Sequence, residues 1–477
     1  MEPTTEVLSA RTEIDTDEYR TMAATHLWRG MTNYGPDVAS PPLIFVQGEG
    51  CYLIDSDGKR YLDVLSNMSC VNLGYSYGEE IGEAALEQYR RLPFQQNWFA
   101  TSTPTIELAA KLATLTPEGL DRVFFSPSGG EAVEAAWKLA RNYHRIRGKN
   151  KWKAIARTDG YHGTTMGALA LIGISELRTQ FEPLTPQAIH VPGAYPWDRA
   201  EGQTEEEHVA ALLADLESRI LAEDPTTIGL FISEPVYNRG GITAPVAGYF
   251  DGVRALCDKY DILFAIDETI SGFGRVGDWF ATNRYGICPD IITCAKGLSS
   301  AHAVIGATIV RNEIFDTFRE ANAGFSHGMT YGGHPVMAAV ALKNIEIMER
   351  LDIPGRVRAK EGELRAALEG LGDLDVVTGV SGAGFMLQLN LATTASDGRA
   401  LTTAELDHLY GAKAVGTPLR EAGVLTAAGS TGNLKRPNDR AVLVMLPLVA
   451  DTPEFDVLVT ALRDVLTPVD ERYRALR

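Results

Sequence analysis

Lys296 ends an apolar run in the segment IITCAKGLSSAHAVIGA, residues 291–307. A lysine held among small and apolar groups loses hydration, so its pKa falls and a neutral amine able to attack a carbonyl becomes accessible. Asp267 ends a second apolar run, in ILFAIDETISGFGRVG at 262–277. A carboxylate at the C-terminal end of a strand sits where doubly wound sheets bind their ligands. A third segment, Phe125-Ser126-Pro127-Ser128-Gly129-Gly130-Glu131, joins a predicted strand to a predicted helix. Small residues with free backbone N–H groups at a helix start favour a phosphate.

Taken singly, each feature has a plain alternative. Lys296 also reads as a strand-end lysine reaching water, Asp267 as a helix cap or ion-pair partner, and Ser128 as an N-cap in an ordinary turn. Taken together they describe one cofactor. A neutral amine for an imine, a carboxylate for a pyridinium nitrogen and an amide-rich helix start for a phosphate are what pyridoxal phosphate requires.

The elements that must position these groups alternate along the middle of the chain. Short apolar runs stand at Arg122–Phe125, Lys153–Ile155, Ala188–Val191, Ile228–Ile232, Ile262–Ile266, Ile291–Cys294 and Ile305–Ile309. Most are fully apolar, as strands covered on both faces must be. Helical stretches such as Gly130–Tyr143 and Glu205–Leu221 separate them, which predicts a mainly parallel, seven-stranded, doubly wound α/β sheet. Only about ten residues join the last two runs. That is short for a parallel crossover, so the final strand is expected to be antiparallel. Upstream, CYLIDSDGKRYLDVL predicts a hairpin around a DG turn, and Pro335–Gly370 predicts long helices. The expected division is an N-terminal segment (1–65) belonging to a small α+β domain, a large domain (66–335) and the C-terminal part of the small domain (336–477).

Composition narrows the function. The 477 residues include 44 Lys and Arg against 62 Asp and Glu, a net charge of −18, which disfavours nucleic-acid and anionic-membrane partners. No run of about 18 apolar residues marks a spanning helix, and the acidic start does not resemble a secretory signal. Five cysteines without a CxxC pair fit reduced thiols in the cytoplasm. The histidines show no metal spacing, so no metal is expected. Gly272-Phe273-Gly274-Arg275-Val276-Gly277 fits GxGxxG, but Asp267–Ser271 intervene between it and its strand, which argues against a dinucleotide loop.

Motifs in order along residues 27–462 carry a resemblance. They are DGKRYLD (57–63), CVNLGY (70–75), LPFQQNWF (92–99), PSGGEAVEAAWKLAR (127–141), YHG (161–163), SEP (233–235), IDETISGFGRVGDWF (266–280), AKGLSS (295–300) and TYGGHP (330–335). The set resembles the class III aminotransferases of the fold-type I pyridoxal-phosphate enzymes, most of all the amine:pyruvate or ω-transaminase branch. The resemblance implies a ping-pong transfer of an amino group from an amine or ω-amino acid to a keto acid, with pyruvate the expected acceptor. Other chemistry on the same cofactor, by an aminomutase or decarboxylase, and a noncatalytic cofactor-binding protein are the alternatives.

By that resemblance Lys296 carries the cofactor and moves the substrate proton, while Asp267 holds the ring nitrogen protonated. Gly129 and Gly130 bind phosphate; Gly130 stands where the family has serine, and Ser128 is the expected replacement hydroxyl. Tyr161 stacks on the ring and Glu234 lies near its phenolic side. Thr330 reaches the phosphate of a neighbouring subunit, which implies a homodimer with sites at the interface. Ser69 stands where aryl-amine enzymes carry tryptophan, with Trp98 and Phe99 expected as a substrate wall. The family arginine for the acceptor carboxylate is replaced by Thr426, and Arg239 or a basic residue of 434–440 (Lys435, Arg436, Arg440) is expected to substitute.

Overall fold

The structure, a computed structural model, describes residues 15–32, 34, 42–185, 187–431, 435–436 and 439–476. Alternating side chains and the Asp57-Gly58 turn build an antiparallel meander of β1 (Phe45–Glu49), β2 (Tyr52–Asp55) and β3 (Arg60–Asp63). Gly58 takes the left-handed φ of +81° that such a turn needs.

The apolar runs form one seven-stranded sheet. Its strands are β4 (Leu120–Ser126), β5 (Lys153–Arg157), β6 (Ala188–Val191), β7 (Ile228–Ser233), β8 (Leu263–Asp267), β9 (Ile291–Cys294) and β10 (Gly306–Arg311), in the order β4-β10-β9-β8-β7-β5-β6. The pairings among β9, β8, β7, β5 and β6 are parallel. As the short connection predicts, β10 runs antiparallel to both β9 and β4.

Period-two alternation sorts each strand between two apolar layers. Ala154, Ala156, Leu230, Ile232 and Ala265 pack under Val133, Ala136, Trp137 and Ala140 of the helix Gly129–Ile146. Ile155, Phe231, Phe264 and Ile266 pack on the opposite face, against the helices Glu205–Ala222 and Tyr249–Tyr260. Each fully buried Leu, Ile or Phe contributes roughly 1.5–3 kcal/mol, which explains why both strand faces are apolar.

Downstream of the helices Pro335–Arg350 and Ile353–Glu369 lie β11 (Val377–Ala383), β12 (Met386–Leu391), β13 (Val424–Leu425), β14 (Ala428–Ser430) and β15 (Arg440–Val444). β13 pairs in parallel with β3, so the two ends of the chain share a sheet; β11-β12-β15-β14 forms a second one. Among the described residues no helix is long and apolar enough to cross a membrane.

Candidate active site

The C-terminal ends of β5, β7, β8 and β9 and the start of the helix Gly129–Ile146 enclose a cavity of about 170 Å³. Its walls include Gly129, Gly130, Tyr161, Glu234, Asp267 and Lys296, which the sequence singled out. They also include His162, Gly163, Val236, Thr269, Ile270, Ser271 and Ala295.

Lys296 follows β9 on a left-handed backbone, φ 42°. Among the described residues its amine has no hydrogen-bond or ion-pair partner. Burial pushes that amine below the ordinary lysine range; Cys70, Asp267 and Glu234 pull it partly back, and Arg275 reinforces the drop. Asp267 is buried at the end of β8. Its Oδ2 lies 2.9 Å from His162 Nδ1, and its Oδ1 accepts from Thr293 Oγ1 (3.0 Å) and Thr269 N–H (3.1 Å). Burial alone would raise this carboxyl, but its hydrogen bonds, that of His162 foremost, outweigh it and hold it below the usual carboxylate range.

Glu234 follows β7. Its Oε2 accepts from Arg157 Nη2 at 2.7 Å, and both side chains are buried. Arg157 lies over the Tyr237 ring at 3.9 Å and also donates to Tyr195 Oη and to the carbonyls of Thr158 and Arg239. Burial opposes its charge, yet Glu234 wins and keeps the guanidinium protonated. Three buried atoms around the cavity have no hydrogen-bond partner among the described residues: Glu234 Oε1, His162 Nε2 and Thr269 Oγ1.

At the helix start, Ser128 acts as N-cap: its Oγ accepts from Glu131 N–H (3.3 Å) and donates to Glu131 Oε2 (3.0 Å). That hydroxyl is engaged with Glu131, and Ser128 is not a wall of the cavity. Gly129 and Gly130 present first-turn N–H groups that have no intrahelical acceptor. A Cβ on Gly129 would come within 2.9 Å of Thr269 Cγ2, so only glycine lets this backbone edge the cavity.

Other expected residues stand apart. The exposed Thr330 is not a wall of this cavity. Trp98, 68% exposed, lines a separate groove of about 480 Å³ with Phe124, Phe325 and Met329. Ser69 is buried and donates to Met445 Sδ at 2.8 Å; it closes a run, Ser66–Ser69, whose four residues all have left-handed φ between 45° and 66°. Such a turn costs about 1–2 kcal/mol per residue. Arg275 helps to hold it, donating to Ser66 Oγ (3.1 Å), Asn72 Oδ1 (2.9 Å) and the Leu446 carbonyl. The glycine-rich segment 272–277 thus stitches the fold together. The Thr426 hydroxyl donates to the Leu443 carbonyl.

His162, Thr269 and Arg157 were not picked out from the sequence. The signals were present: His162 adjoins Tyr161, Thr269 lies two residues after Asp267, and Arg157 ends an apolar strand as Asp267 does.

A family model described as aminotransferase class III matches residues 34–466. A probable aminotransferase of Mycobacterium tuberculosis is 40% identical, with 94% of each chain covered. A putrescine–pyruvate aminotransferase of Pseudomonas aeruginosa is 33% identical over 95% of this chain and 97% of its own. Among solved structures, a thermostable (S)-enantioselective omega-transaminase from Thermomicrobium roseum superposes with a TM-score of 0.88 at 34% identity, covering 96% of this chain and 99% of that one. The omega transaminase of Pseudomonas jessenii in complex with PMP superposes with a TM-score of 0.87 at 30% identity, covering 95% and 98%. A strand-end lysine and aspartate meeting in one cavity, on a fold shared across these chains, complete the identification: the protein belongs to the class III aminotransferases and is a transaminase.

Proposed function

We propose that this aminotransferase holds pyridoxal phosphate in the 170 Å³ cavity and passes an amino group from an amine or ω-amino acid to pyruvate, as a cytoplasmic homodimer. The observation that carries this reading is the meeting of the free Lys296 amine with the charged Asp267 carboxylate at the ends of adjacent parallel strands. The residues present fit the cofactor. A lysine amine stands ready for its aldehyde, Asp267 for its ring nitrogen, the Gly129 and Gly130 amides for its phosphate, and the partnerless Thr269 Oγ1, His162 Nε2 and Glu234 Oε1 for its remaining polar edges.

When bound, the cofactor supplies an electron sink for the carbon that loses its proton. Lys296, whose amine burial pushes below the ordinary lysine range, is the base that moves that proton. Asp267, kept ionised, holds a proton on the ring nitrogen. Tyr161 supplies a flat face and Glu234 a charge balanced by Arg157. Thr330 serves the neighbouring subunit; its exposure away from its own cavity, beside the exposed Trp98, Phe99 and Tyr331, supports this assembly. The five free thiols support a reducing compartment. Pyruvate is favoured by the name of the Pseudomonas aeruginosa relative.

The test joins labelling to turnover. Borohydride reduction of the holoenzyme should fix the cofactor to the peptide containing Lys296. Lys296→Ala should keep noncovalent cofactor but lose roughly three orders of magnitude or more in turnover. A panel of amines and ω-amino acids against pyruvate, 2-oxoglutarate and glyoxylate should show transfer to pyruvate. Labelling at another lysine, or consumption of an amine without a keto acid, would overturn the reading.

A further inference from the structure

An acceptor keto acid brings a carboxylate into a site that already contains two, Asp267 and Glu234. Leaving a third without a cationic partner costs several kcal/mol of desolvation and repulsion. The four cations expected near the site differ in what they already touch. Lys435 lies 3.3 Å from Asp198, Arg436 3.2 Å from Asp439 and Arg440 3.7 Å from Asp407. The Arg239 guanidinium has no carboxylate and no hydrogen-bond acceptor among the described residues.

Its backbone, by contrast, is pinned. The Arg239 carbonyl accepts from Tyr195 Oη at 3.1 Å and from Arg157 Nη1 at 3.3 Å. The next residue, Gly240, has φ +80° and donates its N–H to the Thr431 carbonyl at 2.8 Å. Arg239 is not itself a wall of the cavity, but its carbonyl shares the Arg157 guanidinium with the wall residue Glu234, at 3.3 Å and 2.7 Å, and the charge of its half-buried side chain draws down the Tyr161 phenol, which burial and Asp267 otherwise raise. Glu234, the nearby carboxylate that could have captured Arg239, is already neutralised by Arg157. Asp267 is engaged by His162 and Thr293.

We infer that Arg239 receives the carboxylate of the acceptor, making this cavity selective for keto acids over uncharged carbonyl compounds. The inference rests on the aminotransferase reading of the site. A planar guanidinium on a fixed backbone offers two parallel N–H donors to a carboxylate, the geometry a lysine cannot reproduce.

The experiment compares Arg239→Ala and Arg239→Lys with the wild-type holoenzyme. Second-order rate constants are measured for the aminated enzyme with pyruvate and with propanal, which lacks the carboxylate. Calorimetry gives the affinity for propionate, which lacks the ketone. In Arg239→Ala the pyruvate constant should fall about 10- to 100-fold, propionate should weaken by a similar factor, and propanal should react as before. Arg239→Lys should recover only part of the loss. Lys435→Ala, Arg436→Ala and Arg440→Ala should bind propionate as the wild type does. Equal losses with pyruvate and propanal would make Arg239 structural and overturn the inference. So would unchanged propionate affinity in Arg239→Ala, or its loss in one of the other three variants. If the wild type aminates no keto acid at all, the aminotransfer reading fails, and propionate binding alone then decides the role of Arg239.

Discussion

His162 Nδ1 lies 2.9 Å from Asp267 Oδ2, and both side chains are buried. The histidine fixes one carboxylate oxygen while Thr293 and the Thr269 amide fix the other, so the charge can point in only one direction.

This arrangement separates two variants. Asp267→Asn removes the charge itself and should lower turnover by roughly three orders of magnitude or more, because each pKa unit withdrawn from the ring proton is worth about 1.4 kcal/mol. His162→Ala removes one of three hydrogen bonds and should lower turnover only about 10- to 100-fold, with weaker cofactor retention and a shifted absorption band. Steady-state kinetics and the cofactor spectrum check both. Equal losses in the two variants would place His162 in the proton transfer itself.

The two glycines at the helix start should respond oppositely to serine. At Gly130 a Cβ would meet nothing closer than 3.6 Å, so Gly130→Ser fits and adds a hydroxyl beside the expected phosphate. Cofactor dissociation should slow several-fold, in keeping with one added hydrogen bond of roughly 1 kcal/mol. Gly129→Ser would press on Thr269 at 2.9 Å and should weaken cofactor binding. Cofactor titration of the apo forms measures both, and tighter binding in Gly129→Ser would refute the placement.

Under the proposed assembly Thr330 serves the partner's cofactor, and a residue that does so can act only across a twofold interface. Light scattering should find the active species at least dimeric, and Thr330→Ala should lose cofactor affinity without loss of the dimer. A fully active monomer at assay concentration would contradict this.

Glu268 makes stability depend on pH. Burial pushes its carboxyl up from 4.5 to about 7, against hydrogen bonds from Ser271 Oγ and Thr282 N–H. Between those values the folded protein holds a proton that the unfolded chain has released. The stabilisation is therefore complete below pH 4.5 and is lost as pH rises through about 7. The loss is about 3 kcal/mol for a group this deeply buried. Glu268→Gln cannot lose a proton, so its urea stability should gain on the wild type by that amount between pH 4.5 and pH 8. Parallel curves would show that Glu268 stays ionised throughout.

Much of this molecule is written in local patterns. The runs at 228–232 and 291–294 announced themselves because a strand covered on both faces must be apolar throughout. The antiparallel β10 followed from a connection too short to cross over. Lys296 and Asp267 were legible because a charge ending an apolar run is conspicuous, and the ordered motifs named the family.

Partnerships were not legible. His162 meets Asp267 across 105 residues, and Arg157 meets Glu234 across 77. Hydrophobic period reaches over a few neighbours, whereas the strand order β4-β10-β9-β8-β7-β5-β6, set by how the layers pack, decides which strand ends lie side by side. The same packing turned the Ser128 hydroxyl to its own helix and that of Thr426 to Leu443, and it left Arg239 alone of the four expected cations without a carboxylate among the described residues. Composition and spacing determined which groups the chain carries. Which of them remain free to act was decided by the tertiary structure, because a buried polar atom takes whatever partner packing brings within hydrogen-bond reach.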